Sequence, residues 1–475
     1  MLEILLLSSW LYIVQAKEYE FVNLTLMNTL EQLRQGDLAG ATRLALSEGL
    51  AEFPREIFAL ADTLEYLDLS GNALTSLPED FAQLHRLQVL FCAGNRFTEL
   101  PVVLGQCQSL SMIGFRSNQI SMIQGTALPP KLRWLILTGN QIASLPPEIG
   151  GCPELQKVAL SGNLLSTLPS EMANCTKLEL LRIAANRFET LPEWLLSMPR
   201  LSWLGYSGNP VCAAAEALAL AARVDLAQIP WSSLQLKQKL GEGASGVIYQ
   251  AALADTSQEV AVKVFKGALT SDGLPHSEIA AYLSADSHPY LINLLGKVTG
   301  HPDKTEALVM QLVDSSYRNL AAPPSLQSCT RDVYATDLRF SLNDALRVAH
   351  GVASLACQLH SRGLTHGDLY AHNTLMGADG HAVLGDFGAA AFYDQSDSAV
   401  AQAFEQIEVR AFGCLLEELL ERLNAGCANR AIYLAIIIKI ERLRDRCLTR
   451  VVLQRPLFQQ IERELDLLLT NLTCG

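Results

Sequence analysis

An asparagine returns every 22 or 23 residues along the first half of this chain, at Asn72, Asn95, Asn118, Asn140, Asn163, Asn186 and Asn209. Each stands in the frame L-x-x-L-x-L-x-x-N-x-L, as in Leu64, Leu67, Leu69, Asn72 and Leu74. Five of the seven continue into Leu-Pro: Leu77-Pro78, Leu100-Pro101, Leu145-Pro146, Leu168-Pro169 and Leu191-Pro192. A degenerate unit precedes them, with Leu44, Leu46, Leu50 and Phe53-Pro54 in register and Gly49 at the asparagine position. A period this short means that no unit can bury its own leucines, so successive units must stack into a continuous coil. The asparagine amide then turns inside the coil to satisfy backbone groups of the adjacent turn.

This pattern, from about Leu38 to Asn209, resembles the leucine-rich repeat. The leucine, asparagine and proline positions are structural on this reading. Function falls to outward strand positions, where Tyr66, Phe91, Trp134 and Trp203 form an apolar stripe. Such patches mark protein contacts, so this stripe is expected to receive a protein partner or substrate, or in part to pack on the neighbouring domain.

At 475 residues the chain exceeds a single core. Its net charge of −13 contains no basic stretch able to track a phosphate backbone, which excludes nucleic acid as an expected partner. The 11 cysteines are scattered without a C-x-x-C pair, as expected of buried free thiols. Leu5 to Ala16 is apolar enough to imitate an export leader, with Val14-Gln15-Ala16 as a weak cleavage-like site. Glu3 stands where such leaders carry positive charge, and the run is too short to span a bilayer. Met27 is an alternative start. Glu216, Arg223 and Asp225 rule out a spanning helix in the alanine-rich joint after Val211, so a helical cap and a short linker are expected there. The later run Tyr433 to Ile438 is expected to be a buried helix segment.

From Leu236 the period changes. Gly241, Gly243 and Gly246 have the spacing G-x-G-x-x-G, and Val247, Ile248 and Tyr249 after them favour a strand, not a helix. Glycines there let the backbone lie close over phosphates. Lys263 ends a β-branched run, Glu278 opens a helical pattern, and LTHGDLYAHN precedes Asp386-Phe387-Gly388. In order and spacing these pieces resemble a protein kinase domain over about Leu234 to Leu469.

That resemblance implies ATP and Mg²⁺ as cofactors. Asp368 would orient or deprotonate the acceptor hydroxyl, Lys263 would contact the α- and β-phosphates, and Glu278 would be its ion-pair partner. Asn373 and Asp386 would hold the metal. Gly241, Gly243, Gly246, Val247 and Ile248 would cover the nucleotide, with Met310 as gatekeeper and Gln311 to Val313 as hinge. HPYLINLLG, with Leu291 to Leu295 at its heart, resembles the next strand, and Glu408 to Leu423 the central helix of the large lobe.

Four departures accompany the resemblance. Gly367 replaces the arginine before the catalytic aspartate, which predicts activity independent of loop phosphorylation. Tyr370 and His372 stand where acceptor-class residues are usual. Only 22 residues separate Asp386 from Glu408, without an A-P-E sequence. That leaves Arg455 without its usual glutamate, for which Glu405 and Glu408 are both candidates. The H-G-D-L wording is also similar to aminoglycoside phosphotransferases.

The expected architecture is an α/β leucine-rich-repeat solenoid followed by an α+β two-lobed kinase-like domain, resembling soluble leucine-rich-repeat protein kinases of the bacterial type. Residues 1–37 form an extension and cap, 38–210 the solenoid, 211–233 a helical cap and linker, and 234–475 the kinase-like domain. The expected function is a cytoplasmic ATP-dependent protein kinase directed at serine or threonine. A nucleotide-binding scaffold and a small-molecule phosphotransferase are the alternatives.

Overall fold

The computed structural model describes residues 27–222, 226–243, 245–267, 269–270, 272–424 and 431–473. The expectations for residues 1–26, and for Arg223 and Asp225, lie outside the described residues. The chain divides into two compact units. Among the described residues, one runs from Met27 to Leu201 with Asn209–Val211; the other holds Ser202–Gly208 and the described residues from Cys212 to Thr473.

In the first unit a short helix α1 (Leu30–Gln35) opens on a Thr29–Gln32 capping box. Seven three-residue strands follow: β1 (Arg43–Ala45), β2 (Tyr66–Asp68), β3 (Val89–Phe91), β4 (Met112–Gly114), β5 (Trp134–Ile136), β6 (Lys157–Ala159) and β7 (Leu180–Arg182). They pair in parallel with strict register, Leu67 on Leu90 and Ile113 on Leu135, and short 3-10 turns return the chain between them. The asparagines form the expected ladder. Asn163 accepts from the Ile142 amide at 3.0 Å and donates to the carbonyls of Leu137 and Leu160 at 3.0 and 2.9 Å. Asn95, Asn118, Asn140 and Asn186 bridge adjacent turns in the same way. The leucine-rich repeat is therefore built as its period requires.

The apolar stripe is not an exposed surface, which corrects the expectation for it. Tyr66, Phe91 and Trp134 are only 3, 8 and 2% exposed. Stacked parallel strands bring like positions of adjacent repeats together. Arg43 lies 4.0 Å over the Tyr66 ring, Phe91 meets Tyr66 edge-on at 5.9 Å, and Lys157 covers Trp134 at 4.6 Å.

In the second unit β8 (Trp203–Gly205) precedes helix α2 (Pro210–Ala222). Next come β9 (Ala227–Pro230), β10 (Leu234–Glu242), β11 (Gly246–Leu253), β12 (Glu259–Phe265), helix α3 (Pro275–Ala285), β13 (Leu294–Thr299) and β14 (Ala307–Gln311). Six strands make one sheet in the order β10-β11-β12-β14-β13-β9. The linker thus contributes a parallel edge strand, which no sequence pattern announced. Gly296 allows its approach, because a Cβ there would come 2.6 Å from the Ala227 carbonyl oxygen. Ile229 and Trp231 pack on the core of Leu234, Ala251, Val260, Val262, Val298, Ala307 and Val309. The strand expected around Leu291 begins only at Leu294; Leu291 instead bridges to Leu384.

The remainder is mostly helical: β15 (Arg318–Asn319), α4 (Leu342–Ser361), β16 (Leu364–Thr365), β17 (Thr374–Met376), β18 (Ala382–Leu384), β19 (Ala391–Phe392), α5 (Ser398–Glu421), α6 (Ala431–Cys447) and α7 (Phe458–Thr473). Helix α5 starts ten residues before Glu408 because Asp397 caps it, its carboxylate accepting from the amides of Ala399 and Val400. The run Tyr433 to Ile438 is helical as expected but not buried. Ile436 faces inward, whereas Leu434 and Ile438 are exposed, since only one face of α6 meets the unit. The described cysteines are unbridged, and all but half-buried Cys357 are buried. Among the described residues no helix is long and apolar enough to cross a membrane.

Candidate active site

Three elements converge on Lys263. It lies near the end of β12, directly opposite Ile248 of β11, with a side chain that is almost fully buried. Helix α3 presents Glu278 from its first turn, 2.5 Å from the Lys263 ammonium, and an Asp386 oxygen lies 3.4 Å from it. Burial alone would lower the lysine pKa, but the charges of Asp386 and Glu278 overcome that and hold it well above the ordinary lysine range. The ammonium is therefore permanently charged.

The glycine-rich turn joins β10 to β11. Gly241 pairs with Ile248, Val247 with Val264, and the Gly243 amide donates to the Gly246 carbonyl at 2.9 Å. Met310 is buried between Ala261 and Leu294 on the neighbouring strands, as suits a gatekeeper. Gln311 is exposed beyond it, its amide already donating to the Asn293 carbonyl, and Val313 is half-buried.

Below the sheet, residues 366–373 form a loop ending in β17. The Asn373 amide nitrogen donates to the Asp368 carboxylate at 2.7 Å and to the Asp368 carbonyl at 2.8 Å. Its own side-chain oxygen is buried without a protein hydrogen-bond partner. An acceptor left over in this way suits a hard cation such as magnesium. The His366 ring links loop to loop. Its Nδ1 accepts from the Asp368 amide at 3.3 Å and its Nε2 donates to the Gly385 carbonyl at 3.2 Å. The Gly385 amide in turn donates to the Asn373 carbonyl. Phe387 is fully buried against Tyr282 and His366, and the Tyr282 hydroxyl accepts from the Asp386 amide.

Sequence reasoning missed what holds this loop. Glu408, buried on α5, accepts from the amides of Gly367 at 2.6 Å and His366 at 3.1 Å, and pairs with His360 at 2.7 Å. Burial would raise its pKa, but the His360 partnership lowers it, so the carboxylate stays charged. Asp332 likewise fixes His372, meeting its ring at 2.6 Å and its amide at 3.0 Å. The question about Arg455 resolves as well. Glu408 spends its oxygens on the loop and Glu405 accepts from Tyr393, while Arg455 donates to the carbonyls of Gln406 and Thr449. No motif marks these partners, because each is fixed by tertiary packing alone.

Residues 234–420 match the family model of protein tyrosine and serine/threonine kinases, and residues 62–104 that of paired leucine-rich repeats. The chain carries leucine-rich repeats and a protein kinase domain. Similar proteins include a serine/threonine-protein kinase of Arabidopsis thaliana, 27% identical over 33% of this chain and 31% of its own length. A probable serine/threonine-protein kinase of Dictyostelium discoideum is 29% identical over 37% of this chain and 10% of its own. Fibroblast growth factor receptor 1 of Pleurodeles waltl is 26% identical over 49% of this chain and 34% of its own. The chain spans about a third or less of the length of these relatives.

Proposed function

We propose that this leucine-rich-repeat kinase transfers the γ-phosphoryl group of ATP to serine or threonine hydroxyls of protein acceptors in the cytoplasm. The observation that carries this reading is the closed, buried Lys263–Glu278 pair with Asp386 beside it, which points a fixed positive charge toward the place where phosphates would lie. Bound MgATP supplies the transferable phosphoryl group and the metal's charge. Lys263 would neutralise phosphate oxygens, and Asn373 and Asp386 would hold the metal. Asp368, kept in place by Asn373, accepts the proton of the incoming hydroxyl. The serine/threonine preference rests on the names of similar kinases, and protein recruitment on the general use of leucine-rich repeats.

The test is incubation of the full chain with γ-labelled ATP and Mg²⁺ beside mixed protein acceptors, followed by phosphoamino-acid analysis. Label on serine and threonine that disappears in Asp368→Asn is the expected result. Label on tyrosine alone, or none on any acceptor, overturns the acceptor assignment.

A further inference from the structure

The kinase unit departs from the common catalytic-loop wording at Gly367, Tyr370 and His372 and has a very short segment after Asp386. Gly367, Tyr370 and the segment after Asp386 meet one element, the last repeat strand β8, and His372 packs on Tyr370.

Gly367 has φ +70°, and a Cβ there would lie 2.3 Å from the Ala389 carbonyl oxygen and 3.0 Å from that of Leu204. The space an arginine needs at this position is thus filled by backbone, partly by β8 itself. Three residues on, the Trp203 indole stacks on the Tyr370 ring with centroids 4.3 Å apart and planes 6° from parallel. Its N–H donates to the Leu369 carbonyl at 3.1 Å. The His372 ring lies against Tyr370, centroids 4.8 Å apart and planes tilted by 33°, and is anchored by Asp332. The segment after Asp386 is held as well: the Tyr206 hydroxyl donates to the Phe392 carbonyl at 3.1 Å. Arg410 of α5 donates to the Ser202 hydroxyl at 2.7 Å. Trp203 and Tyr206 are each 1% exposed, so they are core residues of the kinase unit rather than an outward repeat face. Of the two expectations for the stripe, Trp203 meets the second, packing on kinase residues, and not the partner-facing one.

We infer that the last repeat strand is a built-in strut for the catalytic loop, doing the positioning work that a longer activation segment does in other kinases. Trp203 is its principal positioning residue. The strut grips Leu369 and Tyr370, between Asp368 and Asn373, while Glu408 holds His366 and Gly367, so the loop is set without a phosphorylated segment. Tyr393 fits this account, because its hydroxyl is committed to the His360 carbonyl and Glu405 and is unavailable as a regulatory site. The inference deepens the kinase reading and rests on it only for the turnover part of its test.

The experiment uses the full chain with Trp203→Ala and Trp203→Phe. The phenylalanine keeps a stacking ring but loses the hydrogen bond to Leu369. Hydrogen exchange and steady-state turnover are measured on both variants. In Trp203→Ala, amides of residues 366–373 are expected to exchange faster while those of β12 and α3 keep wild-type protection. Turnover should fall roughly 10- to 100-fold, the usual effect of a slightly misplaced catalytic group, with the KM for ATP within about twofold. Trp203→Phe should recover most of both. Unchanged exchange at 366–373, or an equal loss of protection across the whole unit, overturns the strut. If the wild-type chain shows no turnover, the kinase reading fails and the exchange comparison still decides the inference.

Discussion

Two kinds of buried asparagine occupy this protein, and they do opposite things with their amides. In the repeat unit Asn163 is 4% exposed, and both ends of its amide are spent on backbone groups of adjacent turns. In the kinase unit Asn373 is 7% exposed, and only its nitrogen is committed, to Asp368, leaving a buried oxygen over. A satisfied buried amide is stabilising structure. An acceptor left unpaired costs stability unless something arrives to use it. The leftover oxygen sets Asn373 apart from the ladder asparagines, though not from Gln406, whose side-chain oxygen is also buried without a partner; its place beside Asp368 in the loop is what makes it a candidate metal ligand.

The sharpest break of this comparison lies beside Asn373. Asp386→Asn removes the charged member of the proposed metal pair, and turnover is expected to fall roughly 100- to 1,000-fold with the fold intact, on the scale of losing one preorganised electrostatic group. Lys263→Met should weaken nucleotide binding and also leave Glu278 buried without its cation, so its melting temperature should fall too. Steady-state kinetics and thermal melts of both variants check this. Near-normal turnover in Asp386→Asn would remove the catalytic side of the comparison.

The kinase unit also buries ionised groups where the repeat ladder uses neutral amides, which predicts a difference in pH response. His360 is fully buried; burial would lower its pKa, but the Glu405 carboxylate 3.7 Å away and the hydrogen-bonded Glu408 raise it from 6.5 to about 9. The tightly held proton therefore contributes stability fully below pH 6.5 and loses it as pH rises through about 9. The contribution is on the order of 3 kcal/mol. Melts should shift downward from pH 7 to pH 9.5 in wild type, and His360→Gln should flatten that slope. An equal slope in both removes His360 as the cause.

Asn163→Ala sharpens the scaffold side. It strands the Ile142 amide and two carbonyls inside the coil, at a cost of roughly 2 kcal/mol. Its melting shift should be the same at pH 7 and pH 9, and turnover should stay at the wild-type level.

The legibility of the two units differs for the same reason. Asn72 through Asn209 repeat a local rule, so spacing alone predicts both the strand at each step and the partners of each amide. Lys263, Glu278, Asp368, Asn373 and Asp386 could be named in advance because they resemble a known order of motifs. Their supports could not: Glu408 and Asp332 reach the catalytic loop from 41 and 40 residues away in sequence, and Trp203 from 166. The outward reading of Trp203, Trp134, Tyr66 and Phe91 failed because strand alternation tells which face a side chain takes, not what lies over that face. The linker strand β9 escaped notice because Ala227–Pro230 has no alternation and pairs only at a sheet edge.

The most direct measurement is a calorimetric titration of ATP, with and without Mg²⁺, into the wild-type chain, Asn163→Ala and Asn373→Ala. The account predicts that Mg²⁺ strengthens ATP binding equally in wild type and Asn163→Ala, and that this strengthening is largely lost in Asn373→Ala. Asn373→Ala should itself melt within about 2 °C of wild type, since the leftover acceptor is removed along with its bonds. Magnesium-dependent binding of undiminished strength in Asn373→Ala would contradict the claim that its buried oxygen waits for the metal.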